Sequence, residues 1–70
     1  MASSHDIQQY VARAAQAFTS GNADTALQHA NQALAGDPHI VGALYIKALA
    51  QRILGDPGAA KQALETALSV

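Results

Sequence analysis

The chain has 70 residues, a mass of 7.2 kDa and a formal net charge of −1, which leaves room for one small domain with a marginal core. It has no Cys, excluding disulfide staples and thiolate metal sites, and four basic residues do not make the positive field of a nucleic-acid binder. No apolar run approaches the ~18 residues of a membrane span, and the opening Met-Ala-Ser-Ser-His lacks the basic and apolar regions of a secretory signal, so the expected compartment is the cytoplasm.

Ala supplies 17 of the 35 hydrophobic residues. Ala is the best helix former and a poor strand former, so the composition predicts an all-α chain with closely approaching helices. Tyr10, Phe18 and Tyr45 are its large fillers.

The first helix is expected over 7–20. Asp6, with Gln9 three residues on, forms a capping-box pattern, and Ser4 is an alternative cap. Gly21-Asn22 reads as a helix-ending glycine followed by the N-cap of a second helix over 23–35. Gly36-Asp37-Pro38 repeats that device more strongly: Gly in the left-handed position, Asp capping, Pro at the first helical position of a third helix over 38–54. Gly55-Asp56-Pro57 does the same for a fourth helix over 57–69. Connections this short make neighbouring helices antiparallel.

Sliding the chain along itself brings these breakers into register. When Gly21 falls on Gly55, Asn22 falls on Asp56, Ala14 on Ala48, Ala26 on Ala60, Ala33 on Ala67 and Leu34 on Leu68. Two helices in a period of about 34 residues is the tetratricopeptide spacing. The small residues Ala14, Ala26 and Ala33, the Gly21-Asn22 turn and Pro38 in the first unit resemble that family's pattern, as do Ala48, Gly55-Asp56, Ala60 and Ala67 in the second. The large residue of the motif's fourth position is Tyr10, then Leu44. The sequence departs from the pattern at Arg13 and Lys47, where Leu is usual, and at Ala17 and Gln51, where an aromatic is common. The resemblance covers 7–70. It implies a single domain over 1–70 made of two stacked helix-turn-helix repeats, 7–40 and 41–70: four antiparallel helices in an α-solenoid arrangement.

The resemblance also implies a concave groove lined by the first helix of each unit. Carried over, the groove positions are Gln8, Val11, Ala12, Ala15, Phe18 and Thr19, then Gly42, Tyr45, Ile46, Leu49, Arg52 and Ile53. A helical wheel agrees in part: Tyr45, Leu49, Ile53 and Ile46 fall within about 100°, with Leu44 and Ala48 on another side. The groove offers one cation, Arg52, and no Asn, which argues against the carboxylate-binding mode of some family members. An apolar peptide, an amphipathic helix or a second copy of the chain fits better. Partner contact is therefore expected at Val11, Ala15, Phe18, Tyr45, Ile46, Leu49, Arg52 and Ile53.

No catalytic constellation emerges. His5, His29 and His39 show no i, i+4 pair for a helical metal site, and no nucleophile elbow or phosphate loop is present. The expectation is a non-enzymatic protein-interaction module without metal or cofactor. The alternative is the helical arm of a larger enzyme whose catalytic domain lies beyond Val70. With two repeats and few surface charges, a homodimer is expected, burying Phe18, Tyr45, Ile46, Leu49 and Ile53. A contact around Leu64, Leu68 and Val70, stacking copies end to end, is the second arrangement.

Overall fold

The alanine-rich stretches between the breakers are helical throughout a computed structural model that describes residues 4–69. The helices are α1 (Ser4–Thr19), α2 (Ala23–Gly36), α3 (Val41–Ile53) and α4 (Pro57–Ser69). They form two consecutive hairpins, α1/α2 and α3/α4, whose helices run antiparallel.

The sequence period extends to individual hydrogen bonds. Gly21 and Gly55 both adopt positive φ, 81° and 86°, a conformation that costs a residue with a Cβ. Gly21 N–H donates to Phe18 O at 3.0 Å and Asn22 N–H to Ala17 O at 2.9 Å; at the equivalent positions of the second unit, Gly55 donates to Arg52 O at 3.3 Å and Asp56 to Gln51 O at 2.8 Å. This pair of bonds is the Schellman ending of a helix. The residue after each glycine then caps the next helix: Asn22 Oδ1 accepts from Thr25 N–H at 3.4 Å, and Asp56 Oδ1 from Ala59 N–H at 3.2 Å.

The middle connection differs from the expectation. Gly36 belongs to α2 and has no positive φ, and α3 begins at Val41 rather than Pro38. Asp37 is spent locally. Its N–H closes α2 on Ala33 O at 2.9 Å, its carbonyl accepts from Ile40 N–H, and its carboxylate accepts from His39 N–H at 3.1 Å. A carboxylate bonded two residues ahead closes a turn instead of capping a helix. Pro38 also disfavours helical geometry at Asp37. The start of α1 is corrected too: the helix includes Asp6 in its first turn, where a negative charge complements the macrodipole, instead of beginning after it.

The core is built from alanine. Ala14, Ala26, Ala30, Ala33, Ala43 and Ala50 are wholly inaccessible, and Leu44 and Ile46 are the only larger hydrophobic residues buried among the described ones. One cluster joins Ala14, Ala23, Ala26 and Ala30 of the first hairpin to Ile46 and Ala50 of α3, with Val11, Ala17, Phe18 and Leu27 packed around it. Another joins Ala48 of α3 to Ala60 and Ala63 of α4. Each helix packs on the next, and α3 also touches α1. Among the described residues α4 touches only α3, so the second hairpin stacks on the first without closing a bundle. The result is a slab of 31 × 28 × 15 Å.

Candidate interaction surface

α3 is the central element, and its flanks have different fates. Ala43, Leu44, Ile46, Ala48 and Ala50 are buried against the other helices. On the remaining side Val41, Tyr45 and Ile53 are exposed, Tyr45 at 54% and Ile53 at 65%, with Leu49 half-buried between them. Each i+4 step advances the helix by about 40°, so these four residues form a continuous stripe about 120° wide. Arg52 is exposed beside it.

The expected groove set therefore divides. Tyr45, Leu49, Arg52 and Ile53 share the open side of α3. Ile46 does not: at 9% exposure it is a core residue, filling the space between α1 and α2. Val11 and Phe18 of α1 are half-buried against that same cluster, so they support α3 more than they face solvent. A monomer thus leaves wet a smaller patch than the sequence implied. Ala15 is exposed, as are Gln8, Ala12 and Thr19, and the Thr19 hydroxyl is satisfied by Ala15 O at 2.9 Å. Gly42 is a contact point between helices: a Cβ there would stand 3.3 Å from Val11 Cγ1. Val41 belongs to the stripe although the sequence reading passed over it. Its i−4 relation to Tyr45 was the available signal, but the α3 groove positions carried over from the resemblance begin at Gly42 and leave it out.

Among the described residues, two clefts lie along the second hairpin. One, of about 270 Å³, is lined by Arg52, Pro57, Ala60, Lys61 and Leu64. The other, of about 240 Å³, lies between Leu44, Lys47 and Gln51 of α3 and Ala59, Gln62, Ala63 and Thr66 of α4. There Gln51 Oε1 is buried and accepts no hydrogen bond from the described residues. Leu64 and Leu68 are exposed on α4, Leu68 at 85%; Val70, named with them in the end-to-end arrangement, lies outside the described residues.

His29 Nδ1 and Gln32 Oε1 lie 2.9 Å apart, and His5 pairs with Gln9 in the same local way. Among the described residues no three His, Asp or Glu side chains gather into a metal-binding group, and no helix is long and apolar enough to cross a membrane. No family model, curated protein or solved structure matches the chain.

Proposed function

We propose that the chain is a non-enzymatic protein-interaction module of tetratricopeptide type, which takes an apolar segment or amphipathic helix along α3. The observation that carries this reading is the stripe Val41, Tyr45, Leu49 and Ile53, four apolar side chains at i+4 spacing on the open side of a helix whose other flank is already packed. Fully burying side chains of this size is worth about 1.5–3 kcal/mol each, and i, i+4 anchors are the pattern by which helical surfaces recognise a partner helix. The tetratricopeptide assignment rests on the recurrence of the glycine turn, its hydrogen bonds and its cap at the same place in both hairpins.

Selection from a displayed library of helical peptides against the folded chain tests the proposal. Enriched peptides should carry apolar residues on one face, and Tyr45→Glu or Leu49→Glu should weaken their binding roughly tenfold or more, a loss of about 1.4 kcal/mol. Failure to enrich any peptide, or peptides that bind Tyr45→Glu as well as the parent, would overturn it.

A further inference from the structure

The cleft beside α4 has a filled counterpart in the same molecule. Moving its lining residues Arg52, Pro57, Ala60, Lys61 and Leu64 back by one repeat, the shift that sets Gly55 on Gly21, gives Phe18, Ala23, Ala26, Leu27 and Ala30. All five of those residues belong to, or pack on, the cluster that Ile46 and Ala50 of α3 complete. The equivalence is structural as well as arithmetic, because the turns joining α1 to α2 and α3 to α4 share their hydrogen bonds at the same offset. In the first hairpin the cleft receives an aliphatic side chain carried on a helix. In the second it is open.

Copies stacked head to tail would bring α1 to this cleft. Its residues equivalent to Ala43, Ile46 and Ala50 are Gln9, Ala12 and Gln16. Such a contact would offer nothing larger than the Ala12 methyl where Ile46 fills the first cleft, and would set two amides beside Pro57, Ala60 and Leu64. α4 itself is better suited. Lys61, Leu64, Leu68 and Glu65 lie within an arc of about 100° on its exposed side, and Leu68 is the most exposed large hydrophobic residue described. Among the described residues neither the Lys61 ammonium nor the Glu65 carboxylate has a hydrogen-bonded or ionic partner.

We propose that two copies pair through α4 about a twofold axis near Leu64, the helices antiparallel, with Leu68 of each copy entering the Arg52–Pro57–Ala60–Lys61–Leu64 cleft of the other. Antiparallel pairing centred on Leu64 sets Leu68 opposite Ala60, one of the residues lining the cleft. It also brings Glu65 to within two residues, about 3 Å along the axis, of Lys61 in the other copy. Each axis-related pair occurs twice, so one apolar insertion and one ion pair are doubled by the symmetry. None of the four α3 stripe residues lines this cleft, although Arg52 beside them does.

Sedimentation equilibrium of the intact chain over a rising concentration series tests the pairing, with circular dichroism as the check that each variant remains helical. The mass should climb from 7.2 kDa toward twice that value. Leu68→Glu, at a site too exposed to matter for folding, should raise the dimer dissociation constant about tenfold or more. Lys61→Glu and Glu65→Lys should each weaken the pair by setting like charges together, and an equimolar mixture of those two variants should restore association, because each then supplies the charge the other lacks. A parent chain that stays monomeric throughout would overturn the proposal. So would a dimer indifferent to Leu68→Glu and dissociated by Leu49→Glu, which would move the contact to α3.

Discussion

Val11 of α1 sits against the backbone of Gly42 in α3, so close that a Cβ at position 42 would stand 3.3 Å from Val11 Cγ1. This approach lets α3 lie on α1 as well as α2 and brings Ile46 into the first hairpin. Gly42→Ala adds helix propensity of up to about 1 kcal/mol and asks half-buried Val11 to yield a few tenths of an ångström, so its stability should stay within about 1 kcal/mol of the parent. Gly42→Leu should lose about 1–3 kcal/mol by overpacking, and Val11→Ala in the same chain should recover part of that loss. Urea denaturation measures both. A Gly42→Leu variant as stable as the parent would mean that the helices are farther apart.

The remaining glycines separate by backbone angle. Gly58 is helical and a Cβ there meets nothing within 4 Å, so Gly58→Ala should stabilise by about 0.5–1 kcal/mol. Gly21 and Gly55 also have open space around them, yet their φ is positive. Ala at either should destabilise by about 1 kcal/mol or more. Thermal melts of the three variants should therefore move in opposite directions, up for Gly58→Ala and down for the other two.

Gln51 buries its Oε1 without a donor among the described residues, and leaving such an atom unsatisfied costs about 1–3 kcal/mol. Gln51→Met keeps the length of the side chain and removes the polar atom. It should leave stability unchanged or raise it by about 1 kcal/mol in urea titration. A clear loss would show that the amide has a partner in solution.

Ala30 is wholly buried, and its counterpart in the second unit is Leu64. Installing the second unit's residue in the first, Ala30→Leu, should cost about 1–3 kcal/mol, because α3 already occupies the space that is open beside Leu64. Ala26→Trp should abolish the cooperative melt, as Ala26 is equally enclosed. So should Ala60→Pro: it deletes the 3.1 Å bond from Ala60 N–H to Asp56 O, at about 3 kcal/mol in a domain of marginal stability. An unchanged melt of either would contradict the packing register.

Helix type, number and most ends were legible before any coordinates because their causes are local. A glycine with positive φ, an Asn or Asp accepting from an amide three residues ahead, and alanine-rich stretches between them need only the few neighbouring residues. The two turns that act entirely within that range, at Gly21-Asn22 and Gly55-Asp56, folded as read. Gly36-Asp37-Pro38 carries the same letters as the second of these and behaves differently. α2 runs on through Gly36, and the Asp37 carboxylate closes on His39, a choice between two local bonds that the triplet alone does not reveal.

The division of α3 into buried and open flanks was not available from its own periodicity. Ile46 and Ile53 have the same side chain and fall within about 20° of each other on the wheel, yet one is buried at 9% exposure and the other stands out at 65%. Ile46 is at mid-helix, where α1 and α2 both reach α3. Ile53 is the last residue of α3, where the chain turns toward α4. Burial depends on which neighbouring helix covers a position along the axis as well as around it, and that neighbour is brought there by contacts, such as Val11 on Gly42, between residues far apart in the chain.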